Sequence, residues 1–246
     1  GANVLYVDHH RSGDIPVRDN LAAHIDLDAN TCTSLIVSEL LERRFHLWAI
    51  TAAYGDNLVA KADQEAEELG LNYQQKSLLK ALGVYINYNG YGSDISDLHY
   101  HPAELLALLL AYQSPFELLA QSDSVFTRLE TAYRDDMSNA ENAEVLFDSE
   151  QVKVLRLADA AWARRVSGVL GNALANQSPG KAHAVLTHHK ASGYTISVRA
   201  PLTNKQGADA VCIQFSTGGG RAGAAGVNQL PDDKVTDFID AINRQY

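Results

Sequence analysis

Apolar and polar positions change rhythm along the chain, and each rhythm predicts an element. Residues 4–7 (Val-Leu-Tyr-Val) are a short β-prone run that ends in Asp8-His9-His10. Such a run predicts a buried parallel strand with polar residues at its carboxyl edge, where open α/β sheets hold ligands. Residues 33–44 carry Leu35, Ile36, Leu40 and Leu41 on one side at helical spacing, with Thr31 or Thr33 to cap the start. Residues 47–54 are apolar and stop at Gly55-Asp56-Asn57, a turn signal. Residues 58–69 read as an exposed acidic helix, and 87–92 as a loop. Residues 102–112 read as a buried, leucine-rich helix with Pro102 at its first position. From 115 to about 143 the pattern is helical and polar.

The texture then shifts. Residues 152–157 alternate as a strand does, and 162–175 repeat as a helix. Residues 182–187 and 194–199 read as two strands, joined by the hairpin turn Lys190-Ala191-Ser192-Gly193. Ala208, Val211, Cys212 and Phe215 fall at i, i+3, i+4 and i+7 and predict a helix, which Gly218-Gly219-Gly220 would stop by supplying φ > 0. A short strand over 227–230 and an amphipathic helix over 232–246 complete the pattern. The expectation is an α/β protein of two domains. A parallel-sheet domain spans 1–114, a helical connector 115–148, and a smaller α/β domain 149–246.

Composition narrows the function. Of the 246 residues, 46% are hydrophobic and 20% charged, which supports a packed core rather than disorder. The formal net charge of -10 disfavours long nucleic acid as a partner. Phosphate chemistry would then sit in a local pocket, on small substrates, with metal ions supplying positive charge. Two widely separated cysteines, Cys32 and Cys212, fit a reducing compartment, and a cytoplasmic location is expected. No apolar run approaches the roughly 20 residues that span a bilayer. The opening Gly1-Ala2-Asn3 lacks the basic region of a signal peptide and reads as a chain entering directly into a strand, as a processed or truncated chain would.

Three places carry candidate chemistry. Asp8, His9 and His10 offer one hard oxygen and two imidazole nitrogens, a set that suits Mn²⁺, Mg²⁺ or Zn²⁺; the plain alternative is a solvated strand end. Asp56 follows an apolar segment and a glycine, so it is either a further ligand or an Asx-type turn residue. Residues 217–226 hold five glycines with Arg221 among them. A backbone that small can approach an anion closely and aim N–H groups at it, while a guanidinium adds a forked phosphate partner. The alternative is a flexible cap and linker. Arg199 ends its strand and either clamps a terminal phosphate or carboxylate or lies on the surface. His99 and His101 would share one face only if extended, and their segment reads as loop, while the adjacent His188 and His189 would point to opposite faces of a strand. Ser/His/Asp, Walker-type and GxGxxG patterns are absent.

In order along the chain stand Val-Asp-His-His at 7–10, Gly-Asp at 55–56, Ser-Val-Arg at 197–199 and Gly-Gly-Gly-Arg-Ala-Gly-Ala-Ala-Gly at 218–226. This ordered set resembles the DHH phosphoesterases with their C-terminal DHH-associated domain, and the small-residue and threonine stretch 29–35 resembles the segment that follows their DHH motif. The resemblance covers nearly the whole chain. It implies a two-metal hydrolase, usually with Mn²⁺ and alternatively Mg²⁺, in which the ions clamp the phosphate and activate water. On this chain it implies Asp8, His9 and Asp56 as metal ligands and Asp8, His9 and His10 as the catalytic group. Arg199, Gly218, Gly219, Gly220 and Arg221 would bind the substrate, and the active site would be the cleft between domains. The family's Asp-x-Asp motif and a following lone aspartate precede the DHH strand, whereas this sequence begins seven residues before Asp8. The chain alone is therefore expected to bind metal weakly and to show little activity. Arg221 stands where the family has histidine, and cannot titrate near neutrality.

The resemblance implies a phosphoesterase acting on short oligoribonucleotides, linear dinucleotides or 3′-phosphonucleotides, in a protein whose relatives often form homodimers. Long DNA and membranes are not expected partners. The alternative is a nucleotide- or phosphate-binding protein that keeps the fold without catalysis.

Overall fold

The computed structural model describes residues 1–10 and 12–246. The chain forms two units, Gly1–Asn87 with Ala103–Glu130, and Tyr88–Pro102 with Thr131–Tyr246. In the first, β1 (Val4–Asp8) and β2 (Leu21–Ile25) pair in parallel, with Val4 opposite Leu21 and Asp8 opposite Ile25. Helices follow: α1 (Thr33–Leu40), α2 (His46–Gly55), α3 (Val59–Glu68), α4 (Tyr73–Tyr88), α5 (Pro102–Leu109) and α6 (Pro115–Leu119); of α7 (Val125–Ala140), residues 125–130 belong to this unit and 131–140 to the second. Ile50, Ala53, Tyr54 and Leu79 centre the core that joins α2, α3 and α4. A fully buried side chain such as Ile50 or Leu79 contributes roughly 1.5–3 kcal/mol. Helix α6 starts at a capping box: the Ser114 hydroxyl accepts from the Phe116 N–H, and Glu117 reaches back to the cap.

The second unit holds β3 (Glu144–Asp148), β4 (Val152–Arg156), α8 (Ala161–Gln177), β5 (Ala182–His188), β6 (Tyr194–Arg199), α9 (Ala208–Cys212), β7 (Gly218–Gly220), β8 (Ala224–Leu230) and α10 (Val235–Gln245). The strands form one sheet in the order β3-β4-β5-β6-β8-β7. Only β4 and β5 are parallel, and α8 is the crossover between them. Strand β5 is buried from Ala182 to Thr187 because α8 packs against it on one face and the α9–α10 core lies on the other. That is why its sequence is a nearly unbroken small and apolar run rather than an alternating one.

Several expectations from the sequence need correction. β1 is parallel, as its pattern predicts, but it is not buried: Val4 is 48% and Leu5 64% exposed. It lies in a two-stranded sheet, and cover increases only toward Asp8. Helix α5 is not buried either. Leu105 faces inward, while Leu106, Leu108 and, just past its end, Leu110 lie in solvent, since one side of a helix meets the core whatever the other sides carry. Gly218-Gly219-Gly220 does not cap a helix. It is the edge strand β7, and helix α9 ends earlier, at Cys212. The pattern also missed β2, α4 and β3. In the second unit the expected β5–β6 hairpin is present: the His189 N–H donates to the Gly193 carbonyl, and Gly193 has φ +72°.

Candidate metal and phosphate sites

The carboxyl end of β1 delivers Asp8, His9 and His10 together. One ligand atom from each lies within 4.8 Å of the others. His9 is buried and His10 exposed, and their rings meet edge-on with centroids 4.2 Å apart. Both imidazoles are oriented through Nδ1. His9 Nδ1 lies 3.0 Å from the Thr31 carbonyl oxygen, and His10 Nδ1 lies 2.8 Å from Asp8 Oδ1. A carbonyl and a carboxylate can only accept, so in each neutral ring Nδ1 carries the proton and Nε2 the lone pair. In that tautomer Nε2 is the nitrogen that can ligate a metal.

Asp8 Oδ1 also accepts from the backbone N–H of His9, 2.7 Å away, and of His10, 3.2 Å away. The hydrogen bond from the His10 ring, joined by those backbone donors, holds the Asp8 carboxyl at about 2 against a weaker upward push from desolvation. Asp8 is thus an ionised carboxylate at neutral pH.

Asp56 follows α2 as its C-terminal cap residue, and its Oδ2 lies 3.9 Å from His9 Nδ1. Two glycines fix the end of α2 that carries it. A Cβ on Gly55 would sit 2.7 Å from the Gly83 carbonyl oxygen, and one on Gly83 would sit 2.0 Å from the Thr51 carbonyl oxygen. α2 and α4 therefore touch backbone to backbone at a point where a side chain on either would wedge them apart. Gly83 escaped the sequence reading, and Thr31 entered it as a candidate helix cap, whereas the cap position is Cys32. Gly83 sits in an unassigned helix, and Thr31 acts through its backbone, which no residue type signals. The donor set, imidazole nitrogens beside the ionised Asp8 and the Asp56 carboxyl group, is chemically suited to Mn²⁺, Mg²⁺ or Zn²⁺.

The second unit gathers the other group. Arg199 ends β6, and its guanidinium donates to Asn172 Oδ1 at 2.6 Å, Ser197 Oγ at 3.0 Å, the Val198 carbonyl at 3.0 Å and the Gly168 carbonyl at 3.4 Å. Arg221 opens the turn between β7 and β8, where its N–H donates to the Ala224 carbonyl at 2.8 Å. Ala224 is also the cross-strand partner of Arg199, so both arginines belong to one end of this sheet. The turn is held from both sides, by Ala200 N–H on Gly223 and Ala208 N–H on Ala222. Gly218 and Gly220 are required where they stand. A Cβ on Gly218 would sit 1.7 Å from the Cys212 carbonyl oxygen, and Gly220 has φ +140° with its Cβ position 2.4 Å from Ala225 Cα. A Cβ on Gly219 would meet nothing within 4 Å, so that side of this residue is open, while its strand pairs with β8 at Gly226.

No protein-family model matches the chain, and no curated protein does. Solved structures do match it, and they define its class: the chain has the DHH-type α/β fold. One is the DHH domain of a member of a family of ribosomal proteins, with a TM-score of 0.58, 11% identity, and coverage of 98% of this chain and 62% of that one. Another is a pGpG-specific phosphodiesterase from Vibrio cholerae, with a TM-score of 0.54, 12% identity, and coverage of 94% of this chain and 82% of that one. The chain thus spans 62% of the length of the ribosomal-family structure. No helix among the described residues is long and apolar enough to cross a membrane.

Proposed function

We propose that this protein is a metal-dependent phosphoesterase that hydrolyses linear dinucleotides, short oligonucleotides or phosphonucleotides. One observation carries the reading. At the end of a parallel strand, in a fold shared with a pGpG-specific phosphodiesterase, an ionised carboxylate and two imidazoles converge with their Nδ1 atoms already engaged. His9, Asp8 and Asp56 would hold the ion, of which the family uses two, with Mn²⁺ or Mg²⁺ as the expected species. The bound metal would supply Lewis-acid charge and a more acidic water. His10 would lie beside the scissile phosphate as a ligand or charge stabiliser. Arg199, Gly218, Gly219, Gly220 and Arg221 would take the remaining charged part of the substrate through guanidinium and backbone N–H donors. A small acidic protein fits substrates of this size better than a polymer.

A second reading, a phosphate- or nucleotide-binding protein without catalysis, draws support from the Asp8–His9–His10 set being the one such three-donor cluster among the described residues. A screen of the full-length protein with Mn²⁺, Mg²⁺ or Zn²⁺ over pGpG-like dinucleotides, 3′-phosphonucleotides, short RNA and polyphosphate separates the two. The phosphoesterase reading expects metal-dependent turnover of dinucleotide or phosphonucleotide. Nucleotide binding with no turnover under any metal would replace it with the second.

A further inference from the structure

Asp8 has one carboxylate oxygen saturated and the other held by a side chain that no motif marks. Oδ1 accepts three hydrogen bonds, from the backbone N–H of His9 and of His10 and from His10 Nδ1. A carboxylate oxygen presents about two in-plane lone-pair sites, so Oδ1 has none left for a cation. Any ion bound by Asp8 must use Oδ2. The Tyr6 hydroxyl donates to that oxygen from 3.3 Å. Tyr6 lies two residues before Asp8 in β1, so both side chains leave the same face of the strand. One hydrogen bond on Oδ2 leaves its second lone pair for a metal, and it stops the carboxylate from rotating about its Cβ–Cγ bond to exchange the two oxygens.

We propose that Tyr6 is a positioning residue that presents Asp8 Oδ2 as a one-oxygen ligand; this rests on the metal-dependent reading given above. The hydroxyl acts only through Asp8. Outer partners of metal ligands are typically worth 10–100-fold in metal affinity.

The test is an electron paramagnetic resonance titration of the full-length protein with Mn²⁺, comparing wild type with Tyr6→Phe, Asp8→Asn and Tyr73→Phe, a tyrosine that is 84% exposed on α4. Tyr6→Phe is expected to weaken Mn²⁺ binding about tenfold or more while the metal-free melting temperature stays at the wild-type value. Tyr73→Phe is expected to leave affinity unchanged, and Asp8→Asn to abolish it. An unchanged Mn²⁺ affinity in Tyr6→Phe, with Asp8→Asn still inactive in binding, overturns the role of Tyr6 and leaves the metal site standing. A weaker affinity accompanied by a lower metal-free melting temperature assigns Tyr6 to the strand's stability and equally overturns the proposal. Failure of the wild type to bind Mn²⁺ overturns both the proposal and the reading beneath it.

Discussion

Replacing Arg165 by methionine removes a cation from the interior of the second unit while keeping much of the side chain's volume. Arg165 Nε lies 2.6 Å from Asp136 Oδ2 and its NH2 3.0 Å from Oδ1, a bidentate pair, and NH1 donates to the Asp97 carbonyl at 2.7 Å. The Tyr88 hydroxyl also donates to Asp136, and His99 Nε2 lies 3.7 Å from it. Burial pushes the Asp136 carboxyl up, but hydrogen bonds from His99, Arg165 and Tyr88, with the charge of Arg165, outweigh it and bring it from 3.8 to about 2. At about 1.4 kcal/mol per pH unit, that difference is worth about 2 kcal/mol of folding stability. Because the folded value lies below the unfolded one, this stability is present above about pH 4 and is lost as the pH falls toward 2. Without Arg165 the carboxylate stays buried with its counter-charge gone, which costs about 3–5 kcal/mol at pH 7. Acid then protonates it at a higher pH than in the wild type and relieves the penalty. Urea unfolding at pH 7 and pH 4 should show Arg165→Met losing less stability, relative to wild type, at pH 4. Equal losses at both pH values, or a loss below about 1 kcal/mol at pH 7, would refute the reasoning.

His183, 1% exposed in β5 and with no hydrogen-bond partner for Nδ1 among the described residues, is pushed down to about 4 by burial and then by the nearby Lys181 charge. Its unfolded value is 6.5, so stability is full above that pH and falls between about 6.5 and 4, by about 3 kcal/mol. Urea midpoints of His183→Leu measured from pH 7 to 4.5 should fall less steeply than wild type, and identical slopes would contradict this. Arg221→Ala should raise KM for a phosphorylated substrate roughly tenfold or more, as expected for a charged hydrogen bond, with kcat little changed. Steady-state kinetics on the full-length protein measures this, and an unaltered KM removes Arg221 from the phosphate group.

Much of the second unit was legible in the sequence because its elements are periodic and their turns are marked. β4, α8 and β6 repeat cleanly, β5 is a short apolar run bounded by turn signals, and Gly193 sits where the hairpin needs φ > 0. β2 was not legible, since Leu-Ala-Ala-His-Ile neither alternates nor carries a β-branched run before its last residue. β7 was misread for a different physical reason. Glycine signals equally a left-handed helix end and a backbone that must pass close to another, and only the Cys212 carbonyl beside Gly218 decides between them. The exposed leucines of α5 show that composition gives a helix its apolar content but not the cover for it. At the candidate site, Asp8, His9 and His10 were legible as neighbours in sequence. The approach of Asp56 to His9 and the Thr31 carbonyl on Nδ1 depend on folding and had no local signal, whereas Tyr6 and Asp8 share a strand face through their two-residue spacing.

The proposed hydrolysis of a small phosphodiester requires a metal held by His9 and its neighbours. The direct measurement is turnover of a linear dinucleotide by the full-length protein, wild type and His9→Ala, with Mn²⁺ and after chelation. Turnover that vanishes on chelation, returns with Mn²⁺ and falls to background in His9→Ala is the result predicted. An unchanged kcat in His9→Ala would contradict it.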